Sequence, residues 1–481
     1  MFYRAQEVEK MWDTYGCYHE GVFYMYYMDD FGHREEGPNK GISLATSPNG
    51  VHWKEYGLVI PIAKDAKWLG DGTIWKSPLF DQDGQFFTQF SEWRGPDRAH
   101  GKQSMFFAAS TDLIKWKRLG DEYRFSPDPR WYRNDPDMAS RWDSICTMQR
   151  DGGGLYGYWT ATPKTHAGIG FGQTFDGLRF EVLEPPRIEW GDIPAMNWFE
   201  IGGMNKINDK FYALMGHIDI NHKDSDGITP DTVGGMYTFI ADRPEGPFRP
   251  ASKNFELLTW QGHLSTYYTR YFHSPDGLLI NHHATNRDNI TFLSPLKRAI
   301  TDRAGTLRLG YWEGNEKVKG KEIKVKATQD NTVPRKARDL QIDFLNQTFD
   351  LTQGIVIEGA FEQLPNHEKK DSFAGAGFYI EEKKEAGIAI LVQNRSVTEF
   401  GHLSADGSDY ESRQKIDRQL DIKTRCNFRL MIRQTLSELY IDDLLVQCYS
   451  LSPEATGRIG LVFGAKGAKI EDLRVWAMNF I

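Results

Sequence analysis

Five short runs of the sequence share one pattern, a turn signal followed by alternating aromatic and aliphatic residues. They are EGVFYMYYM (20–28), DGQFFTQFS (83–91), GGGLYGYWTA (152–161), NDKFYALMG (208–216) and DGLLINHHA (276–284). Gly, Asp-Gly or Asn-Asp before such alternation is typical of a β-hairpin. Successive runs begin roughly 55–70 residues apart, a spacing that suits one four-stranded sheet for each run.

A second repeat lies between these runs, and each copy reads as a strand, a polar turn and then an aromatic residue. The copies are TSPNGVHWKEY (46–56), STDLIKWKRL (110–119), TFDGLRFEVL (174–183) and the looser ADRPEGPFRP (241–250). Long helical periodicity is absent. Five β units without helices predict a five-bladed β-propeller over residues 1–314, in preference to an array of β-sandwiches.

The composition changes after the fifth unit. Residues 315–338 are rich in Lys and nearly free of aromatic residues, which predicts an exposed linker. From residue 339 to 481, runs such as IVIEGAFEQL, NFRLMIRQ and RIGLVFGAKG alternate at period two with turns between them. We therefore predict an all-β chain in which a C-terminal β-sandwich follows the propeller.

The composition excludes several classes of function. The chain has 481 residues, with 58 Lys and Arg against 66 Asp and Glu, and its net charge of -8 argues against nucleic-acid binding. No apolar run is long enough to span a membrane, and the four cysteines form no CxxC pair. The first residues show no signal peptide, which predicts a cytoplasmic protein, or a secreted or periplasmic one if a leader has been removed.

Three acidic residues share one position relative to the hairpins. Asp13 lies eight residues before Gly21, Asp143 lies nine before Gly152, and Glu200 lies nine before Asp209. The same count places Trp75 and Lys76 in the second blade, and Tyr268 and Thr269 in the fifth. Because the innermost strands of a propeller surround its central axis, residues in one register should face one central space.

A cluster of acids on the axis is suited to glycosidic bond cleavage. One carboxyl with a raised pKa can protonate the leaving oxygen, while an ionised carboxylate attacks the sugar or activates water. The third acid can stabilise the positive charge that develops on the sugar ring. The competing interpretation is that these acids cap turns or pair with arginines. Asp135 and Asp137 are the rivals of Asp143, and Asp71 is either a substrate contact or a turn residue.

The segments around these acids resemble glycoside hydrolase family 32, the invertase and fructan-hydrolase group. The resemblance covers nearly the whole chain and includes WDTYGCYHEGVFYMYYM, RWDSICTMQRDGG and WFEIGGMNKINDKFYALMG. It implies that Asp13 is the nucleophile or base, Asp143 the transition-state stabiliser and Glu200 the general acid. The implied activity is hydrolysis of a β-fructofuranosidic or related furanosidic bond, with retention of configuration.

The sequence departs from the family pattern beside each acid. Asn-Asp-Pro-Asn is replaced by Trp12-Asp13-Thr14-Tyr15, Trp142 separates Arg141 from Asp143, and Ile201-Gly202 replaces the Cys-Pro that follows the acid. Two alternatives therefore stay open. One is an inverting glycosidase of the same clan, acting on arabinose or xylose units. The other is a carbohydrate-binding protein on a degenerate glycosidase scaffold.

Further residues near the acids are candidates for sugar contacts. Aromatic side chains pack against the apolar faces of sugars, and Lys76, Gln103 and Arg141 lie near positions that the family uses for its substrate. The predicted substrate-binding residues are Trp12, Trp75, Lys76, Gln103, Arg141, Trp142 and Trp198. We predict an oligosaccharide or glycoside as the substrate, no cofactor, no metal, and no nucleic-acid or membrane partner; the sequence leaves the oligomeric state open.

Overall fold

The protein is described by a computed structural model. The residues that the structure describes are 2–6, 11–29, 40–94, 103–133, 141–193, 195–196, 199–219, 233–252, 255–259, 265–286, 288, 290–328, 340–364, 375–392, 397–417, 425–464 and 468–480. Within them, no helix is long and apolar enough to cross a membrane.

The N-terminal part of the described chain forms five antiparallel sheets, each a blade of a propeller. Blade one is β1 (Met11–His19), β2 (Val22–Asp29), β3 (Gly41–Ser47) and β4 (Lys54–Pro61). Blade two is β5 (Ala66–Lys76), β6 (Phe86–Arg94), β7 (Gln103–Ser110) and β8 (Lys117–Arg118). Blade three is β9 (Trp142–Gln149), β10 (Leu155–Ala161), β11 (Gly170–Thr174) and β12 (Glu181–Val182).

The last two blades carry one additional short strand each. Blade four is β13 (Glu200–Ile207), β14 (Lys210–Asp219), β15 (Val233–Ala241), β16 (Arg249–Pro250) and β17 (Glu256–Thr259). Blade five is β18 (Ser265–Ser274), β19 (Gly277–Thr285), β20 (Thr291–Leu293), β21 (Lys297–Thr301) and β22 (Leu307–Tyr311). The short helices are α1 (Phe80–Asp83) and two 3₁₀ turns, Asp121–Tyr123 and Glu313–Val318.

The first strands of the five blades close into a ring. β1 contacts β5 and β18, β5 contacts β9, and β13 contacts both β9 and β18. Each of the five aromatic runs forms the second strand of its blade. The predicted five-bladed propeller is therefore confirmed, and the buried aromatic residues of the second strands, such as Tyr26 and Tyr158, belong to its core.

The second repeat has a common hydrogen-bonding basis. In three copies a Ser or Thr hydroxyl accepts a hydrogen bond from the main-chain N–H three residues later. The N–H of Gly50 donates to Ser47 (2.8 Å), that of Leu113 to Ser110 (2.9 Å) and that of Gly177 to Thr174 (3.0 Å). The side chain of an Asn or Asp two residues after this Ser or Thr accepts hydrogen bonds from the main-chain N–H groups two and three residues further along the chain. The repeated Ser/Thr-x-Asn/Asp thus builds the turn between the third and fourth strands of a blade.

Every innermost strand is interrupted by a β-bulge. In β1 the register shifts between Trp12 and Tyr15, so that two residues face one residue of β2. Equivalent shifts occur at 71–74 in β5, 143–146 in β9, 201–203 in β13 and 267–270 in β18. Bulges re-aim side chains, and here they lie at one level around the axis.

The C-terminal strands form a sandwich of two sheets around a separate apolar core. The strands are β23 (Lys319–Ile323), β24 (Ala327–Thr328), β25 (Gln341–Thr348), β26 (Ile355–Glu362), β27 (Ala376–Lys383), β28 (Ala386–Val392), β29 (Val397–Ser404), β30 (Tyr410–Asp417), β31 (Cys426–Arg433), β32 (Leu436–Ile441), β33 (Leu444–Ser450), β34 (Arg458–Phe463) and β35 (Lys469–Met478). One sheet has the order β33-β32-β31-β26-β35-β23, and the other β24-β25-β34-β27-β28-β29-β30.

The segment predicted to be a linker differs from that expectation in its described part. β23 pairs with β35 and β24 pairs with β25, so 319–328 contributes edge strands to both sandwich sheets. Lysines are common on edge strands because they discourage further strand pairing, which explains the composition. Residues 329–338 of this segment lie outside the described residues.

Propeller and sandwich are joined through a continuous sheet. β22 of blade five pairs with β33 at Gly310 and Leu444. Across the same junction, the buried Lys297 lies 2.9 Å from Glu438, which also accepts a hydrogen bond of 2.5 Å from the Tyr440 hydroxyl. The two domains thus share hydrogen bonds and a buried ion pair.

Candidate active site

Asp13 occupies the bulge of the innermost strand of blade one. Its φ of +42° lies in the left-handed region, which Asp tolerates better than most residues. The adjacent Thr14 is fully buried, and the Asn281 amide from blade five donates to its carbonyl oxygen (2.8 Å) and its hydroxyl oxygen (3.0 Å). Blade five therefore fixes the backbone that carries the Asp13 carboxyl.

Asp143 begins the bulge of the innermost strand of blade three. The Ser91 hydroxyl donates to its Oδ1 at 2.5 Å, and the Gln89 amide donates to the Ser91 hydroxyl at 2.9 Å. Gln89 also accepts the Ile145 N–H (2.9 Å). Gln89 and Ser91 lie on one face of β6, because side chains two apart on a strand point the same way. Blade two thereby positions the carboxyl of blade three.

Glu200 is the first residue of the innermost strand of blade four. The next N–H, of Ile201, donates to the Thr160 hydroxyl of blade three at 3.1 Å. The Ile201 carbonyl accepts from the Tyr268 hydroxyl (2.6 Å) and from Arg270 Nη1 (3.0 Å), both of blade five. Each acid is thus held in place by groups from a neighbouring blade.

Arg141 brings two of the acids together. Its Nη2 lies 3.2 Å from Asp143 Oδ2 and 2.5 Å from Glu200 Oε1. The Arg141 main-chain N–H donates to the Thr162 hydroxyl at 3.0 Å, which fixes the residue ahead of β9. One guanidinium therefore bridges blades three and four.

The electrostatics place Asp13 in the same cluster. The pKa of Asp13 is raised to about 8, mainly by burial and also by the negative charges of Glu200 and Asp143, against the lowering effect of Arg270 and Arg141. Two carboxylates within interaction distance of each other cannot both ionise freely. The sequence predicted the raised pKa for the carboxyl that protonates the leaving oxygen, the role given to Glu200, whereas in the structure the raised pKa belongs to Asp13.

Arg270 lies close enough to the acids for its charge to lower the pKa of Asp13. It is 1% exposed, and its Nη1 donates to the carbonyls of Ile201 and Gly202, both at 3.0 Å. Its Nε lies 3.4 Å from the Gly72 carbonyl, and the guanidinium stacks 3.7 Å from the centre of the Tyr268 ring. Arg270 thus joins blades two, four and five.

A cavity of about 560 Å³ opens beside Glu200. Its lining includes Arg141 and Glu200, but neither Asp13 nor Asp143. The other ionisable side chains among its described lining residues are all basic: Arg133, Lys164 and His166. The volume is within the range of small-molecule sites.

The two tryptophans that adjoin the acids, Trp12 and Trp142, differ in their exposure to solvent. Trp12 is partly exposed and packs against the His283 ring with the centroids 4.7 Å apart, so it stays a candidate for sugar stacking. Trp142 is 1% exposed, and its indole N–H donates to the Phe125 carbonyl at 3.1 Å. Because Trp142 and Asp143 are adjacent on a strand, they point to opposite faces, and Trp142 packs in the core instead of the pocket.

Gln103 supports the site from a distance. Its side chain is 3% exposed, and its Oε1 lies 3.4 Å from the Trp142 main-chain nitrogen. The structure therefore places Gln103 behind Trp142 instead of at the carboxylates.

Trp75 and Lys76 are not brought to the acids. Both line a second cavity of about 600 Å³, together with Cys17 and Cys146. The Trp75 indole donates to the Gly177 carbonyl at 3.0 Å, and the Lys76 ammonium lies over the Phe80 ring at 4.5 Å. The bulge of blade two instead places Gly72 and Thr73 at the level of Asp13.

The remaining candidate side chains are not among those that the structure describes. Trp198, Asp135 and Asp137 lie outside the described residues, as does the side chain of Asp71, whose backbone pairs with Phe90 in β5. Among the described residues, no group of three His, Cys, Asp or Glu side chains is arranged to hold a metal ion.

Sequence reasoning missed the residues that hold the acids. Arg270 had one visible signal, a charged residue in the middle of the otherwise uncharged strand YYTRYF. A charge at such a position needs a buried partner, which marks it for attention. Gln89, Ser91 and Asn281 carried no comparable signal, since polar residues are frequent in strands.

Comparisons with known proteins agree with the fold. No known family profile matches the sequence, and no curated protein matches it in sequence. The GH32 β-fructofuranosidase BmSUC1 of Bombyx mori superposes with a TM-score of 0.69 at 12% identity, over 98% of this chain and 92% of that one.

Two further structures give the same result. Fructan 1-exohydrolase IIa from Cichorium intybus has a TM-score of 0.68 at 12% identity, over 99% of this chain and 96% of that one. Exo-inulinase from Aspergillus awamori has a TM-score of 0.67 at 10% identity, over 99% and 98%. From one end to the other, the chain has the propeller-and-sandwich fold of glycoside hydrolase family 32 enzymes.

Proposed function

We propose that the protein is a glycoside hydrolase that cleaves a β-fructofuranosidic or related furanosidic bond with retention of configuration. The observation that carries this proposal is the meeting of Asp13, Asp143 and Glu200, from three different blades, around the propeller axis. The similar structures named above include a β-fructofuranosidase, a fructan exohydrolase and an exo-inulinase, whose activities agree with it.

The three acids have different tasks in this proposal. Glu200 protonates the leaving oxygen while the Asp13 carboxylate attacks the anomeric carbon, which gives a glycosyl-enzyme ester. Water, deprotonated by Glu200, then attacks the same carbon, and the sugar leaves with its original configuration. Asp143, held by Ser91 and Arg141, stabilises the positive charge that develops on the ring.

The charge state of the free enzyme matches that of the covalent intermediate. Asp13 with a pKa of about 8 is mainly neutral at pH 7, and Glu200 is ion-paired with Arg141. In the glycosyl-enzyme, Asp13 is an uncharged ester and Glu200 is an anion that has lost its proton. The arginines thus stabilise the intermediate, and the first step requires the shared proton to pass from Asp13 to Glu200.

Replacement of Glu200 by Gln tests the general-acid role. Loss of acid catalysis typically costs about 10²- to 10⁴-fold. We expect such a loss of kcat with sucrose or inulin, and a smaller loss with a nitrophenyl fructofuranoside, whose leaving group needs no proton. The exposed Glu184→Gln is the matched control and should keep the wild-type rate with both substrates.

The stereochemistry and the substrate range decide against the alternatives. NMR of the first-formed product should show retention, whereas inversion would assign Asp13 as the base that activates water. Screening should include sucrose, inulin, levan and arabinose- or xylose-containing furanosides. Sugar binding without product from any of them would replace the proposed enzyme by a carbohydrate-binding protein.

A further inference from the structure

One strand of blade five, β19, contacts the chain on both sides of Asp13. The Asn281 amide donates to the carbonyl oxygen (2.8 Å) and the hydroxyl oxygen (3.0 Å) of Thr14, the residue after Asp13. The His283 ring packs against the ring of Trp12, the residue before Asp13, with the centroids 4.7 Å apart. Side chains from β19 thus hold both neighbours of the carboxyl to which we assign the attack on the sugar.

The opposite face of the same strand contacts the sandwich domain. Asn281 and His283 share one face of β19, and His282 between them points to the other. His282 Nε2 lies 3.7 Å from Oε1 of Glu438 in the sandwich strand β32, and Lys297 pairs with the same carboxylate at 2.9 Å. Burial holds the pKa of His282 well below its usual range, so a neutral ring packs against this ion pair.

The sandwich also holds the chain directly after β19. Asn286 is 4% exposed, and its amide donates to the Thr435 hydroxyl at 2.6 Å. The Asn286 Oδ1 atom accepts the N–H groups of Asp288 (3.1 Å) and Ile290 (2.9 Å), which fixes the orientation of the amide. Thr435 lies in the turn between β31 and β32, so it belongs to the same hairpin as Glu438. One hairpin of the sandwich therefore contacts β19 at two points.

The bulge of β1 makes the position of Asp13 depend on contacts from outside its own blade. The pairing of β1 with β2 shifts between Trp12 and Tyr15, so the residues between them have no regular partner in β2. Asp13 there has a φ of +42°. A regular ladder of hydrogen bonds fixes the direction of a side chain, whereas at a bulge the ladder is locally disrupted. The contacts of Asn281 and His283 take over this task.

We propose that β19 transmits the position of the sandwich domain to the nucleophile, and that Asn281, His282 and His283 are positioning residues for Asp13. This inference rests on the proposed function, in which Asp13 attacks the anomeric carbon. Reacting atoms must approach to about 3–3.5 Å, and a misplacement of about 1 Å can lower the rate about 100-fold. The sandwich therefore contributes to the rate of the reaction as well as to the stability of the fold.

Thr435→Val tests the link from its far end, because the change is confined to one hydroxyl of the sandwich. We expect kcat and kcat/KM for sucrose or inulin to fall together by about threefold or more, with KM unchanged. Such a pattern reports the loss of an interaction that is made only in the transition state. Asn281→Leu, which removes the donor to Thr14, should lower both constants by about tenfold or more.

Hydrogen exchange of main-chain amides measures the link without any substrate. Thr435→Val should speed the exchange of Met11–His19, the strand that carries Asp13, by about threefold or more, because local opening depends on the contacts that hold a segment. Thr456→Val is the matched control. It removes a Thr hydroxyl that donates to Glu381 at 2.7 Å in the other sheet of the sandwich, and it should change neither this exchange nor kcat.

The outcomes separate this inference from the proposed function. An unchanged kcat or an unchanged exchange of Met11–His19 in Thr435→Val overturns the inference. Equal effects of Thr435→Val and Thr456→Val also overturn it, since they would reflect a general loss of stability. A wild-type protein that cleaves none of the furanosides overturns the proposed function, whereas the exchange measurement still decides whether the sandwich is coupled to Asp13.

Discussion

The Arg141 guanidinium lies 2.5 Å from the carboxylate of Glu200, the group to which we assign the donation of a proton. An adjacent cation favours the ionised form of a carboxyl group, so this contact opposes protonation of Glu200 in the free enzyme. The same contact is favourable after the proton has left, when Glu200 must act as a base towards water. Arg141 therefore acts mainly on the second half of the proposed reaction.

Arg141→Gln should slow the reaction and shift its pH dependence. Loss of one preorganised electrostatic contact lowers kcat by roughly 10²-fold. Because Arg141 lowers the pKa of Asp13, which holds the proton that the reaction needs, its removal should move the alkaline limb of the kcat/KM profile to higher pH. Arg130→Gln, which loses an exposed contact with Asp128, is the control; an unchanged profile in Arg141→Gln would contradict the role.

Asp13→Asn should make the protein more stable at alkaline pH. The pKa of Asp13 is raised from 3.8 to about 8 on folding, mainly by burial, so the folded state keeps a proton that the unfolded state releases between these values. The contribution of this proton to stability is present at low pH and is lost as pH rises through about 8. A rise in pKa of this size corresponds to at most about 6 kcal/mol of stability.

Urea unfolding of wild type and variant at pH 5 and pH 9 measures this difference. We expect Asp13→Asn to gain on the order of 4 kcal/mol relative to wild type between the two pH values, because the unfolded chain releases the Asp13 proton below pH 5 and the folded chain only near pH 8. The exposed Asp209→Asn should show no such trend. A difference that does not grow with pH would refute the raised pKa of Asp13.

Arg270 should act through Asp13 and through the inner strands. Arg270→Met leaves the Ile201 and Gly202 carbonyls without this donor, at a cost of about 1–3 kcal/mol for each group that stays unsatisfied. It also removes a charge that lowers the pKa of Asp13, so the alkaline limb of activity should move to higher pH.

Arg270→Lys separates the two effects, because it keeps the charge and loses the planar fork. We expect the Lys variant to restore the pH profile but to recover only part of the stability, as measured by thermal unfolding. If Met and Lys variants share one pH profile, the charge of Arg270 has no part in tuning Asp13.

Glu438 should be much more sensitive to substitution than an exposed partner of the same type. Glu438→Leu leaves the fully buried Lys297 without its carboxylate, which typically costs about 3–5 kcal/mol, whereas Lys297→Met with Glu438→Leu removes both charges and should recover most of this. Glu313→Gln breaks the exposed pair with Arg298 and should cost less than about 1 kcal/mol. Equal effects of the single and double variants on urea unfolding would contradict the coupling.

The sequence predicted the blades because their second strands carry regular patterns. Phe23, Phe86 and Phe211 each follow a turn signal closely, and aromatic residues recur in the hairpins of the first four blades. The register of Asp13, Asp143 and Glu200 followed from counting back across short hairpins. Where a short turn joins the first and second strands of a blade, the number of residues before that turn indicates how far along the propeller axis a residue lies.

The same count was wrong by about four residues in blade two. The connection from β5 to β6 contains α1 (Phe80–Asp83), so counting back from Gly84 reaches Trp75 and Lys76 instead of the bulge at Gly72. Trp142 was predicted as a pocket residue because it adjoins Asp143, although adjacent strand residues face opposite sides. The contacts between blades, such as Ser91 with Asp143, depend on tertiary packing that no local pattern records.

The ring of bulges has a consequence for how this scaffold diverges. In an uninterrupted strand, side chains alternate strictly between the two faces. An insertion or deletion of one residue on the pocket side would therefore turn every later side chain of that strand to the opposite face. A bulge in each inner strand breaks that tie, so the mouth of the propeller can exchange its residues while strand pairing lower in the channel persists. A scaffold built this way can keep its strand pairing while its sequence changes, in keeping with a shared fold at 12% identity over 98% of the chain.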